Sequence, residues 1–190
     1  DENYNTGRRL HECFLGDRGW TSGFFRLNGR LYQPGDLGRV IGSEIGIQIE
    51  RPDRPGGVLF DNMTALDNLC TSLIPKAGQH IIRKKIVSSI LSEALRWFPK
   101  EMLLQPLSSW SYPERLRFSY YRWYLLNPRL LICFFPFAGQ ESTHHKMIID
   151  LLVLCAQRGM AVWIISSGID AICEKTDNEE FLRRLHYLNK

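Results

Sequence analysis

The 190-residue chain reads as an α/β domain built on a mainly parallel sheet, and three observations carry that reading. The run from Arg129 to Phe135 is apolar without alternation, the pattern of a strand covered on both faces. Met147, Ile148, Leu151, Leu152 and Cys155 then mark one face of a helix from about Ser142 to Arg158, with Gly159 as its C-terminal cap. Met160 to Ser166 is a second apolar run of strand length. Strand, crossover helix and strand of this size make a βαβ unit, the signature of a parallel sheet.

The preceding elements follow in order. Between Gly16 and Gly46 the pairs Ser22-Gly23, Asn28-Gly29 and Pro34-Gly35 separate short segments such as Phe24–Leu27 and Arg30–Tyr32, which predicts a small antiparallel hairpin. From Thr64 the hydrophobic period lengthens to about 3.6 residues. Ile81, Ile82, Ile86, Ile90, Leu91, Ala94, Leu95 and Phe98 form one stripe, so residues 64–110 are expected to be a helical subdomain. The Arg83-Lys84-Lys85 run belongs on its solvated face. Ser111-Tyr112-Pro113-Glu114 has the form of a capping box with proline early in the helix, and Asn127-Pro128 ends that helix after Leu126.

Composition narrows the class. With 44% hydrophobic and 23% charged residues, residues 1–190 suit one folded domain and exclude a disordered tail or a fibre. A net charge of +4, from 24 basic and 20 acidic residues, permits nucleic acid without requiring it. No apolar run reaches the roughly 18 residues that span a bilayer, and the polar Asp1–Leu10 stretch has no secretory character. Cys13, Cys70, Cys133, Cys155 and Cys173 are odd in number, widely spaced and mostly inside apolar segments. They read as reduced core thiols of a cytoplasmic protein.

The order of these segments resembles the ATP-binding cassette (ABC) ATPases, and within them the second cassette of the sugar-importer type. Phe14-Leu15-Gly16, Thr21-Ser22-Gly23 and Leu27-Asn28-Gly29 are similar to the family's passage after the phosphate loop, with its "LNGK"-like turn. Asp53-Arg54, Gly57 and Asp67-Asn68-Leu69 resemble "PEDR…G…ENL". Ser111 to Arg115 stands in the place of the signature loop, "LSGGNQQ" or "LSYGEQQ". Arg122 and Asn127-Pro128 match the "AR" and "NP" before the Walker B strand, and Gly159–Ser167 matches the strand into the switch region, with Ser166-Ser167 in the sugar-importer form. The resemblance runs collinearly over about residues 7–173.

It implies a P-loop NTPase-like fold whose first strand and adenine-stacking segment would precede Asp1. It also implies nucleotide-site positions that can be checked one by one. Gly7 and Arg8 stand for the last glycine and the lysine of a phosphate loop, but no Ser or Thr follows to hold magnesium, and the simpler reading is a basic loop entering a helix. With Pro128 and Pro136 aligned on the family's strand, the two Walker B carboxylates become Phe134 and Phe135. Glu141 falls where the D-loop aspartate sits, or is simply a first-turn acid that suits the helix dipole. Ser111 survives from the signature, whereas Tyr112 and Pro113 replace its glycines ahead of Glu114. His144 and His145 are adjacent on a helix and diverge, a poor metal site.

The expectation is therefore a hydrolysis-incompetent ABC nucleotide-binding domain without catalytic residues or a magnesium site, binding ATP weakly if at all. It would act as a regulatory or scaffold subunit related to sugar import, paired with itself, an active ABC ATPase or a transporter membrane subunit, and located in the cytoplasm, with membrane association through a transporter partner as a further option. Two alternatives stand beside it. One is a functional ATP-binding subunit of a carbohydrate transporter that works only with a partner. The other is single-stranded nucleic-acid binding on the helix bearing Phe118, Tyr120, Tyr121, Trp123 and Tyr124 between Arg115, Arg117 and Arg122. Core packing plus a partner-facing surface is the favoured reading of those aromatics.

Overall fold

The computed structural model describes residues 2–15, 19, 24–27, 29–33, 36, 40–50, 59–77, 84–138 and 141–166. In chain order the elements are α1 (Glu2–Leu15), β1 (Phe25–Leu27), β2 (Arg30–Tyr32), β3 (Ile45–Ile49), α2 (Ala65–Ala77), α3 (Lys84–Ala94), the short α4 (Lys100–Leu103), α5 (Tyr112–Leu126), β4 (Leu130–Phe134), α6 (Ser142–Gln157) and β5 (Ala161–Ile165). β3, β4 and β5 form a parallel sheet in that order, with Ile49 opposite Phe134 and Phe134 opposite Ile165. β1 and β2 pair antiparallel, Arg26 facing Leu31, and Gly29 turns the hairpin at φ 78°. Only glycine takes that left-handed backbone at little cost.

β4 shows why its sequence does not alternate. Leu131 and Cys133 pack on one side against Tyr120, Trp123, Ile148 and Leu152, while Leu130, Ile132 and Phe134 pack on the other against Phe14, Tyr32 and Ile45. Side chains two apart share a face, so a strand covered on both sides must be apolar at every position. A third cluster joins Leu69, Ile90, Ala94, Phe98, Leu103 and Leu107 to Phe118 and Tyr121 of α5. Helix α5 thus belongs to two cores at once.

Several boundaries differ from expectation. The strand proper is Leu130–Phe134: Arg129 donates its N–H to Glu44 before it, and Phe135 leaves it at φ 53°. Of the long stripe, Ile90, Ala94 and Phe98 are buried but Leu95 is 45% exposed, although its N–H still donates to the Leu91 carbonyl one helical turn back. Lys84 and Lys85 are exposed as expected; Arg83, Ile81, Ile82 and the stretch from Ser167 to Lys190 lie outside the described residues.

Candidate functional site

In parallel α/β sheets, ligands gather at the carboxyl ends of the strands, where loops converge and helix amino termini point. Here those ends carry Glu50 after β3, Phe134 and Phe135 at β4, and Ser166 after β5. Phe134 is fully buried, its ring edge-on to His11 of α1 at 5.0 Å. Phe135 is 6% exposed and its backbone sits in the left-handed region, which costs a bulky residue about 1–2 kcal/mol. Hydrogen bonds hold it there: the Phe135 N–H donates to the Ile165 carbonyl at 2.7 Å and the Ala138 N–H to the Phe135 carbonyl at 3.0 Å.

Glu50 was not singled out from the sequence, yet it is 2% exposed at this crest, and its N–H donates to the Phe134 carbonyl. Its carboxylate accepts from Gln48 Nε2 at 2.7 Å. The same amide nitrogen lies 3.2 Å from Ser119 Oγ, and Gln48 Oε1 accepts from Trp123 Nε1 at 2.7 Å. Strand alternation explains the set, because Gly46, Gln48 and Glu50 share the β3 face that meets α5 while Ile45, Ile47 and Ile49 face the other core. The polar-every-second pattern of Gly46-Ile47-Gln48-Ile49-Glu50 was the available signal.

The remaining candidate positions fall into separate groups. Gly7 and Arg8 lie inside α1, not in a loop before a helix, and the Arg8 guanidinium, mostly exposed, pairs with Glu12 one turn on at 3.0 Å. The correction has a local cause: the chain is helical from Glu2, and i to i+4 pairing favours continuation. Ser111, Tyr112, Pro113 and Glu114 open α5 as a capping box. The Ser111 N–H and hydroxyl both donate to Glu114 Oε2, at 2.8 and 2.6 Å. These bonds, the hydroxyl's first, hold the Glu114 carboxyl below its ordinary pKa. Tyr112 turns its ring toward His144 at 5.6 Å, and His145 meets the edge of Phe137 at 5.2 Å. Glu141 occupies the N-cap position of α6 with no side-chain cap bond. Ser166 is half-buried, and Ser167 lies outside the described residues. Among the described residues, no group of three or more His, Cys, Asp or Glu could hold a metal ion.

The aromatic helix is closed to bases. Phe118, Tyr120 and Tyr121 have no exposed surface and Trp123 is buried, with Tyr124 half-buried beside Trp97. Its arginines are engaged: Arg115 pairs with Asp61, Arg117 lies over Phe98, and burial lowers the pKa of Arg122 to about 10. A stacking platform needs free ring faces, and α5 has used them in two cores.

Solved structures share this architecture. The ATP-binding cassette MJ0796, in a dimeric post-hydrolysis state with ADP and Pi, superposes with a TM-score of 0.65 at 18% identity over 90% of this chain and 74% of that one. The cbiO1 protein of Clostridium perfringens, part of the transporter complex cbiONQ, gives 0.66 at 19% over 90% and 65%. The fold is that of an ATP-binding cassette ATPase. Sequence relatives agree with the cassette fold. A Pseudomonas syringae pv. tomato protein named for ribose/galactose/methyl galactoside import and ATP binding is 26% identical over 159 residues, and a Pseudomonas fluorescens counterpart 27% over 154. The matches take in 82% and 80% of this chain but 30% of each relative, so the chain spans under a third of their length. No family model matches the sequence. No helix among the described residues is long and apolar enough to cross a membrane.

Proposed function

We propose that the chain is a hydrolysis-incompetent cassette domain acting as a regulatory or scaffold subunit of a sugar-type importer in the cytoplasm, paired with a second cassette or a membrane subunit. The observation that carries this reading is the pair Phe134 and Phe135 at the end of β4, one ring fully buried and the other nearly so. Cassette hydrolysis depends on a carboxylate for magnesium and another to orient water. Phenyl rings do neither. The other candidate positions, on separate elements, also suit a magnesium nucleotide poorly. Arg8 is neutralised by Glu12, the Ser111 hydroxyl is held by Glu114, and Pro113 has no N–H to offer a phosphate. The names of the sequence relatives supply the transport context.

The test is calorimetric titration of ATP and ADP with and without magnesium, together with phosphate release by the purified chain. Absence of magnesium-enhanced binding and of turnover supports the proposal; turnover above that of a Phe135→Ala variant overturns it. A second reading, a working ATP-binding subunit completed by a partner, draws on the β4 corner, whose hydrogen-bonded backbone persists without its carboxylates. Turnover that appears only on adding a partner cassette would favour it.

A further inference from the structure

Helix α6 has two apolar stripes. Ile148, Leu152 and Cys155 pack into the core. Met147 and Leu154, half-buried against that same core, and the little of Leu151 left exposed (4%) floor an open trough of about 340 Å³ bounded by Trp97 and Arg117, with Thr143, Lys146 and Asp150 also lining it. Met147, Leu151 and Leu154 follow one another at i, i+4 and i+7, so the apolar floor runs about two turns, roughly 10 Å, within a trough lined over roughly 17 Å of helix from Thr143 to Leu154. A trough that is long, shallow and apolar at its base suits a helix laid into it better than an enclosed small molecule.

The rim specifies the sign of the occupant. Arg117 rests its guanidinium over the Phe98 and Trp97 rings, at 5.2 and 6.0 Å, with no carboxylate partner among the described residues. Lys146 is 84% exposed, and the carboxylate it pairs with, Asp150, is 3.9 Å away. Two cations thus face one acid along the trough. We propose that this trough docks an acidic amphipathic helix of a partner protein, its apolar stripe on Met147, Leu151, Leu154 and Trp97 and its carboxylates on Arg117 and Lys146. The surface is independent of nucleotide, so the proposal does not rest on the functional reading above.

The experiment uses the full chain and a fluorescein-labelled synthetic helical peptide of about four turns, with leucines at i, i+4, i+7 and i+11 and glutamates on the flanks. Saturable anisotropy change is expected, weakened about tenfold in the doubly reversed Arg117→Glu/Lys146→Glu chain and by added salt. Both side chains are exposed, so that variant keeps its fold, which circular dichroism checks. Met147→Asp should remove binding. Four results overturn the proposal: no binding up to millimolar peptide; equal binding of a lysine-flanked peptide; equal binding of a scrambled one; or self-association that the double variant abolishes, which would place a second copy in the trough. Salt-sensitive binding of an oligonucleotide in preference to the peptide would overturn it as well.

Discussion

Gly46 offers a sharp test of the packing that joins the sheet to α5. A Cβ built there would lie 2.8 Å from Trp123 Cε3, 2.9 Å from Cζ3 and 3.1 Å from Leu131 Cδ1. Carbon atoms rest about 3.5–4.0 Å apart, so the indole must retreat by several tenths of an ångström. It is not free to do so, because its Nε1–H is fixed on Gln48 Oε1 at 2.7 Å and Gln48 is in turn committed to Glu50 and Ser119. Overpacking of this kind costs about 1–3 kcal/mol, against about 0.4–1 kcal/mol gained from a stiffer unfolded chain. Gly46→Ala should therefore destabilise by about 1–2 kcal/mol and lower Tm by about 2–8 °C for a chain of this size. Urea unfolding followed by tryptophan fluorescence and near-ultraviolet circular dichroism measures it. Gly159→Ala serves as control: φ is +87° with nothing within 4 Å, so stability should fall by about 1 kcal/mol without a change in the indole signal. An unchanged or raised midpoint for Gly46→Ala would refute the claim that the Trp123–Gln48 contact is rigid. Adding Trp123→Leu should make the two substitutions non-additive, since the second removes the ring that the first strikes.

Two further outcomes follow from local chemistry. Ser111→Ala should cost about 0.5–2 kcal/mol by loosening the start of α5. Glu114 has its folded pKa below the ordinary carboxylate value, so its contribution is complete above that value and fades as pH falls through the lowered one. A stability-versus-pH curve of Glu114→Gln should therefore meet the parent curve only on the acid side of the ordinary carboxylate range; parallel curves throughout would contradict the cap. Burial pushes the thiols of Cys133 and Cys155 up, the latter to about 12, so both should resist a disulfide reagent at neutral pH and react only after denaturant is added. Fast labelling of either, read by mass spectrometry, would show that the α6 core opens readily.

The parts of the fold legible in the sequence are those set by short-range rules. Ser111 and Glu114 are three residues apart and Asn127 precedes proline, so both ends of α5 can be read directly; Asn127 takes the left-handed cap at φ 47°. β4 and β5 were visible because burial on both faces leaves no room for polar residues. What sequence reading missed depends on distant partners. Trp123 and Gln48 are separated by 75 positions, and no periodicity says that an indole will sit against Gly46 or that Glu50 will be buried beside Phe134. Gly7 and Arg8, read as a basic loop entering a helix, instead lie inside α1, where Arg8 and Glu12 are spaced to pair across one helical turn. Among the site residues, Phe134, Phe135 and Ser166 do gather at the carboxyl end of the sheet, while Ser111 to Glu114 and Glu141 belong to helix starts.

The corner at Phe134 and Phe135 has an electrostatic consequence. Two phenyl rings and a carboxyl, Glu50, all buried, make this end of the sheet poor in groups that could solvate an anion. A polyphosphate pressed against it would shed hydration and find no opposite charge among these groups, and the effective penalty for stripping an ion in this way is several kcal/mol per charge. On the proposed reading, the corner acts as a dielectric plug that opposes an anion by the cost of desolvation rather than by shape.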